Sequence, residues 1–445
     1  MRLDKWLKVS RLIKRRTVAN EACDNGRVTA NGRAVKASYD VKVGDVLELR
    51  FGERTVKVEV SGGAVRRPRR FKALAALAVV TALVLALPGC GKQTVQESAQ
   101  LLTMDTVMTL TVYGTDKSAC QAVLQQSQDR LYDLDRRLSA TGADGSDIYA
   151  LNHAGGRPVA LTGDTAQLLG KALDLCAMTD GALDLTAYSA VEAWGFTGGD
   201  YRVPDQSELD ALAAKIDYIQ VKLDRDSGQA SLPEGMELDL GAVAKGWAGD
   251  ILAQLVRDTD GVDGALLNLG QSTIQTVGAK ADGSAWRIGI QDPQGEGTAL
   301  AELKQEQSGG SESTSQTADQ PDYLGVLELT DQAMSTSGGY QRCFLQDGQI
   351  YWHILDPNTA APARSGLASV TVVSDSGLLC DGLSTALFVM GLDRGVQFWQ
   401  TWRDHDDVRF ECIFITDDGS VYLTPGLADA FTLADGQSRE VTVLS

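Results

Sequence analysis

Five cations within seven residues, followed by fifteen residues with a single polar side chain, split this chain in two. Arg66, Arg67, Arg69, Arg70 and Lys72 stand in front of the run 73–87, whose one polar residue is Thr81. A core helix would not carry such a flank, and the run is shorter than the roughly 20 residues that a membrane-spanning helix needs. The charge balance changes at the same place. Residues 1–72 hold 19 Lys and Arg against 8 Asp and Glu, and the remainder holds 22 against 51. The net charge of −18 therefore hides a basic module in front of a strongly acidic one. The acidic part is a poor match for nucleic acid. We divide the chain into a small domain 1–62, an apolar segment 63–90, a polar tether 91–100 and a large domain 101–445.

The apolar run ends in Leu87-Pro88-Gly89-Cys90. A basic start, an apolar stretch and a small residue before Cys read as a bacterial lipoprotein signal with Cys90 as the lipidated residue, although Pro88 is an unusual occupant. Such signals stand at an N-terminus, and no Met lies between Met1 and Met104. Two expectations follow. The chain is a fusion, with the small domain inside the cell and the large one outside. Or the large domain starts independently near Val60 or Val65 at a non-ATG codon, the reading we prefer. In both, the large domain is expected outside the cytoplasmic membrane, anchored by its lipid.

In the small domain, 4–12 and 17–23 predict short helices. Segments 27–30, 34–35, 46–51 and 55–60 predict strands, with Asn31-Gly32 as a hairpin turn. Arg11, Lys14, Arg15 and Arg16 lie between the helices. With Arg2, Lys5, Lys8, Arg27 and Lys36 they compose a positive surface suited to RNA phosphates, although charge alone fits a solvated basic surface equally well. Met1-Arg2-Leu3-Asp4-Lys5-Trp6-Leu7, Arg15-Arg16-Thr17, Gly26-Arg27-Val28, Asn31-Gly32 and Val43-Gly44-Asp45 resemble the S-four-type RNA-binding domain, the αL motif. The likeness is nearest to its ribosome-associated quality-control and heat-shock members. It implies binding of structured rRNA or tRNA through shape and backbone.

In the large domain the informative stretch is Asp239-Leu240-Gly241-Ala242-Val243-Ala244-Lys245-Gly246, followed by Asp250. A small-residue turn lets backbone groups approach an anion, and Lys245 adds a point charge. The run 247–256 predicts a helix whose N-terminus favours negative ligands. An ordinary strand–turn–helix with a surface lysine has the same pattern. Further on, His353-Ile354-Leu355-Asp356-Pro357 closes a strand-like run, 349–352. Cys380-Asp381-Gly382-Leu383-Ser384-Thr385-Ala386 opens a buried helical run, 387–390. Asp381 and Thr385 are four apart and share a helix face. They are oxygen ligands suited to a hard cation such as Mg2+, though a helix cap uses the same residue types.

In this order the segments resemble the ApbE family of FAD:protein FMN transferases. Met104-Asp105-Thr106, Gly181-Ala182-Leu183-Asp184-Leu185-Thr186, Trp194-Gly195-Phe196 and Ser335-Thr336-Ser337-Gly338-Gly339-Tyr340 fit it too, so the likeness runs from about residue 100 to the end. It implies binding of FAD and Mg2+ and transfer of FMN to a Thr or Ser hydroxyl of a partner flavoprotein carrying D-x-x-[ST]-G-A-[ST], with release of AMP. Carried over by position, it implies Mg2+ ligands at Asp381, Thr385 and the Ala242 carbonyl. FAD contacts are implied at Met104, Ala182, Leu183, Asp184, Asp239, Lys245 and His353. His353, one of three histidines with His153 and His405, is the candidate base for the acceptor hydroxyl, with Asp381 as the alternative. These residues fit hydrolysis of FAD to FMN and AMP as well, or an FAD-binding lipoprotein. Ser139-Ala140-Thr141-Gly142-Ala143-Asp144 has Asp144 where the acceptor pattern needs a hydroxyl, so self-modification is not expected.

Strand-like and helical runs alternate irregularly. That predicts an α+β fold of mixed and antiparallel sheets with helices, rather than a doubly wound sheet. The polar, Gly/Ser-rich segment 304–322 predicts a disordered surface loop between two strands. Seven cysteines without a C-x-x-C pair support neither a zinc site nor a redox motif. Setting aside Cys23 and Cys90 leaves five, an odd number that allows one bridge but no full disulfide framework.

Overall fold

The computed structural model describes residues 3, 23, 27–39, 41–42, 45–51, 54–59, 94–142, 144–295, 298–301, 303, 323–405 and 408–445. The chain divides into two units, Met1–Cys90 and Gly91–Ser445. Arg2, Lys5, Lys8, Arg11, Lys14, Arg15, Arg16, Cys90, the run 73–87 and the segment 304–322 lie outside the described residues.

In the first unit, β1 (Val28–Ala30), β2 (Arg33–Ala34), β3 (Val46–Phe51) and β4 (Arg54–Glu59) form an antiparallel sheet in the order β2-β1-β3-β4. Asn31 and Gly32 take φ of 51° and 78°, the left-handed pair that a two-residue hairpin turn needs. Asn31 also ties this turn to β3. Its Oδ1 accepts from the Val46 N–H (2.8 Å) and its Nδ2 donates to Asp45 Oδ1 (2.8 Å). The Asp45 carboxylate accepts further bonds from the Tyr39 hydroxyl (3.0 Å) and the Lys42 N–H (2.8 Å). Burial works to raise this carboxyl, but the donated bonds outweigh it and hold Asp45 below the usual carboxylate range.

The second unit is built on a nine-stranded sheet whose spatial order equals its chain order. The strands are β5 (Val95–Thr103), β6 (Thr106–Gly114), β7 (Val262–Asn268), β8 (Thr273–Val277), β9 (Ala333–Gly338), β10 (Leu367–Ser374), β11 (Phe410–Thr416), β12 (Val421–Leu423) and β13 (Val441–Val443). Neighbours are antiparallel except β12 and β13. Alternation dictates the faces. Met108, Leu110 and Val112 of β6 are buried, while Thr109 and Thr111 between them are half-exposed.

One face is covered by helices, chiefly α1 (Lys117–Leu138), α2 (Gly163–Met178), α3 (Ala244–Arg257), α4 (Gly377–Met390) and α5 (Leu392–Trp402). Helix α1 begins at Asp116, whose side chain accepts from the N–H groups of Ser118 and Ala119, and buries Val123, Leu124, Leu131, Leu134 and Leu138 at helical spacing. The other face packs on a three-stranded sheet (Trp286–Gln291, Tyr323–Leu329, Phe431–Leu433) through Ile274, Met334, Val373, Ile413 and Ile415. Strand β8, covered on both faces, is buried along its whole length. Among the described residues six cysteines are free thiols and no bridge forms.

Candidate active site

Helices α3 and α4 meet where each has a glycine. A Cβ on Gly246 would lie 1.9 Å from the Gly377 carbonyl oxygen, and one on Gly377 would lie 2.6 Å from the Gly246 oxygen. The backbones touch with no room for a side chain, and that closeness lets each helix cap the other. Asp250 of α3 accepts from the Gly377 N–H (2.6 Å), the Leu378 N–H (3.0 Å) and the hydroxyl of the α4 N-cap Ser376 (3.1 Å). Helix α3 has no side-chain bond from its own N-cap, Val243. Asp381 of α4 fills that role, its Oδ2 accepting from the Gly246 N–H at 2.6 Å. Each carboxylate thus lies at the positive end of the partner helix. Burial pushes the Asp250 carboxyl up and the nearby Asp381 charge adds to this, against the three donated bonds.

Val243 is the N-cap of α3, so the Gly246 N–H is a first-turn donor with no partner inside the helix, and Asp381 takes it. Ala242 lies just outside the helix, and among the described residues nothing donates to its carbonyl. Asp381 Oδ1 accepts from the hydroxyls of Thr273 on β8 (2.7 Å) and Ser335 on β9 (2.5 Å). One turn along α4, Thr385 Oγ1 lies 3.2 Å from the hydroxyl of Ser337, two residues further on β9, which is also 2.9 Å from Ser384 Oγ. The crossing therefore gathers a carboxylate, a carbonyl without a donor and several hydroxyls. This all-oxygen set fits a hard cation such as Mg2+. No group of three His, Cys, Asp or Glu suited to a metal occurs among the described residues, so softer metals have no comparable ligand set there.

Lys245, half-buried in the first turn of α3, acts on the carboxyl of Asp239. The Asp239 N–H donates to the Leu185 carbonyl (3.1 Å), and its Oδ1 accepts from the Gly241 N–H (2.9 Å). Burial pushes the Asp239 carboxyl up, tempered by the Gly241 bond and by the positive charges of Arg342 and Lys245. Neither cation forms a hydrogen bond or ion pair through its side chain among the described residues. The Arg342 carbonyl accepts from the His353 N–H (3.1 Å) and lies 3.4 Å from His353 Nδ1. The His353 ring meets Phe196 edge-on, centroids 6.3 Å apart. The Trp194 indole N–H donates to the Ala360 carbonyl at 2.8 Å, tying the Trp194-Gly195-Phe196 segment to the turn after Pro357.

Ala182 and Leu183 are buried and Asp184 is half-buried. The Asp184 carboxylate accepts from the Thr186 N–H (2.8 Å), the Thr186 hydroxyl (2.6 Å) and the Tyr218 N–H (2.9 Å), so it shapes its own turn. Burial raises it as well. Met104 and Asp105 form the β5–β6 turn with φ of 47° and 57°. A left-handed Met costs about 1–2 kcal/mol and persists because the strands on either side, joined at Thr103 opposite Thr106, impose it.

The structure thus brings Ala242, Lys245, Asp381 and Thr385 to one crossing with Asp239 beside Lys245. It joins His353 to this group through Arg342. Met104 and Ala182 to Asp184 lie on separate elements, the last tied to Asp239 through Leu185. Sequence reasoning missed three contributors. Arg342 follows the Ser335–Tyr340 motif by two residues, a signal that was available. Thr273 has none, and the capping role of Asp250 shows only in three dimensions.

The family model described as ApbE family matches residues 104–410, and the S4 domain model matches 1–47. The FAD:protein FMN transferase of Vibrio cholerae is 31% identical, covering 72% of this chain and 88% of its own length. That of Klebsiella pneumoniae is 32% identical, covering 72% and 89%. The apo crystal structure of Pseudomonas stutzeri flavinyl transferase ApbE has a TM-score of 0.61 at 26% identity, covering 77% of this chain and 98% of that one. With an S4 domain in front, the chain belongs to the ApbE family.

Proposed function

We propose that this chain is a Mg2+-dependent FAD:protein FMN transferase. The observation that carries this reading is the meeting of α3 and α4, where Asp381 accepts from the first turn of α3, Thr385 lies one turn along α4, and the Ala242 carbonyl just before α3 has no donor among the described residues. In it, Asp381, Thr385 and that carbonyl hold Mg2+, which when bound would neutralise charge on the FAD pyrophosphate and on the departing AMP. Met104, Ala182, Leu183, Asp184, Asp239, Lys245 and His353 bind FAD, Lys245 by its point charge. A Thr or Ser hydroxyl of a flavoprotein carrying D-x-x-[ST]-G-A-[ST] bonds to the FMN phosphorus. The bond from that phosphorus to the bridging oxygen breaks, and AMP leaves with its electron pair. His353 takes the hydroxyl proton. Asp381 suits that task less well, because it is 4% exposed and already accepts three bonds. The activity named for the Vibrio and Klebsiella relatives supports the reading.

The organisation we propose keeps the segments 1–62 and 63–90 but moves most of the expected tether 91–100 into the large domain 101–445, since Val95 to Gln100 pair with β6, with Cys90 lipidated and the enzyme held at the outer side of the cytoplasmic membrane. The basic flank and small residue around the apolar run support this anchor. The S4 domain would bind structured RNA through its cations, on the cytoplasmic side if the fusion is retained.

The test is to incubate the full chain with FAD, Mg2+ and an acceptor domain carrying the motif, and to follow intact mass. The expected result is a gain of one FMN on the acceptor that EDTA abolishes. Free FMN and AMP without mass gain would replace transfer by hydrolysis. Bound FAD without turnover would reduce the protein to a flavin-binding one.

A further inference from the structure

We propose that Arg342 is a further substrate-binding residue, a second cation that grips the diphosphate of FAD beside Lys245. This rests on the transferase reading above. Besides the proposed Mg2+, the Asp239-to-Asp250 motif supplies a single side-chain cation for a diphosphate diester that carries two negative charges. The structure brings a second cation in from another part of the chain. Arg342 acts on the Asp239 carboxyl together with Lys245, yet it forms no ion pair with it. Its side chain makes no hydrogen bond among the described residues and is half-exposed. A half-exposed guanidinium next to a carboxylate that does not consume it remains available to an incoming anion.

The main chain fixes where that guanidinium starts. Arg342 lies five residues after Ser337 of β9, the strand whose hydroxyls reach Asp381 and Thr385. Its carbonyl is held by the His353 N–H at 3.1 Å and faces His353 Nδ1 at 3.4 Å. Arg342 thus contacts the histidine proposed as base and follows closely in sequence the strand that reaches the oxygen set proposed for the cation. A reacting phosphate has to sit between those two groups. Arginine suits this place because its planar fork can meet two phosphate oxygens at once, while Lys245 supplies an undirected charge. Asp239, whose carboxyl feels both cations, offsets part of their mutual repulsion before substrate arrives.

The experiment measures binding of FAD, ADP and riboflavin to the full-length chain and to Arg342→Met and Arg342→Lys, with a thermal melt to verify folding. Riboflavin carries the flavin without a phosphate, and ADP the diphosphate without the flavin. Arg342→Met is expected to weaken FAD and ADP about ten- to a hundred-fold, the range for a hydrogen bond to a charged group, and to leave riboflavin unchanged. Arg342→Lys is expected to fall between, since charge is kept and the fork lost. Unchanged FAD and ADP affinity in a folded Arg342→Met would overturn the assignment. So would an equal loss for riboflavin, which would point to a role in shaping the flavin pocket. Wild-type protein that binds neither FAD nor ADP would sink the transferase reading as well. Wild-type protein that transfers FMN while Arg342→Met binds FAD normally would overturn only the role of Arg342.

Discussion

Asp250 sits on α3 and caps α4, while Asp381 sits on α4 and caps α3. The exchange runs across the Gly246–Gly377 contact, which is close enough for each carboxylate to reach the partner's first turn. It explains why the two carboxylates at this crossing have different tasks. Asp250 is committed to three donors at the start of α4. Asp381 accepts from the Gly246 N–H and from the Thr273 and Ser335 hydroxyls, so it links the start of α3 to β8 and β9.

Asp250→Asn should therefore damage both stability and the proposed cation site. An amide presents one acceptor where the carboxylate presents two, and its NH2 would face the N–H groups of the α4 first turn. We expect a loss of about 1–3 kcal/mol, the range for an N-cap or a buried donor left unsatisfied. Because α4 carries Asp381 and Thr385, the Mg2+ concentration needed for half-maximal turnover should rise too. Thermal unfolding and a Mg2+ titration read the two effects. A variant with the wild-type melt would show that the bonds to Asp250 add nothing net.

Gly246→Ala should be more damaging still. The added methyl would overlap the Gly377 carbonyl oxygen, a backbone atom that cannot rotate away. Either the helices separate, breaking the Gly246–Asp381 bond, or the chain fails to fold. We expect a loss above about 3 kcal/mol, at the severe end for a single substitution. Soluble yield and unfolding temperature check this, and a normal melt would mean that α3 and α4 can slide apart cheaply.

Much of the local structure was legible in the sequence. The Asn31-Gly32 turn, the helix after Gly246 and the shared face of Asp381 and Thr385 follow from turn chemistry and helical period, which neighbouring residues encode. What the sequence withheld are contacts set by strand register and helix crossing. Thr273 reaches Asp381 from 108 residues away, and Ser335 from 46. Asp184 reads as an FAD contact because it lies in a motif, and the structure adds a second role, since its carboxylate also closes on Thr186 and Tyr218. Burial and backbone donors decide that role, and neither is visible in a string of residue types.

Asp239→Asn should trade function for stability, with a definite pH signature. The folded-state carboxyl of Asp239 titrates above its unfolded value because of burial. Ionisation then costs the folded state free energy at pH above the folded pKa, and the cost disappears below the unfolded value, where both states are neutral. The asparagine has no such cost. The variant should be the more stable at neutral pH, and its advantage should shrink as pH falls toward 4, the ordinary carboxylate range. FAD turnover should fall. Urea midpoints at several pH values test this, and a gap that widened on acidification would reverse the sign we assign to Asp239.

The S4 domain carries a testable charge arrangement. The β1–β2 register pairs Thr29 with Ala34 and Ala30 with Arg33, and the Val35 N–H donates to the Val28 carbonyl at 3.3 Å. Continuing that register sets Arg27 opposite Lys36 at the base of the hairpin, both exposed. Like charges facing each other across a strand pair repel, and a phosphate between them would relieve the repulsion. In the proposed RNA-binding role, Arg27→Ala and Lys36→Ala should each weaken binding of a structured rRNA fragment regardless of its sequence. Each should also lower the slope of log affinity against log salt by about one. Without RNA, either substitution should leave the domain as stable as before or slightly more so, since it removes the repulsion. Filter binding over a range of salt concentrations measures the slope, and a slope unchanged in both variants would place this pair of cations away from the RNA.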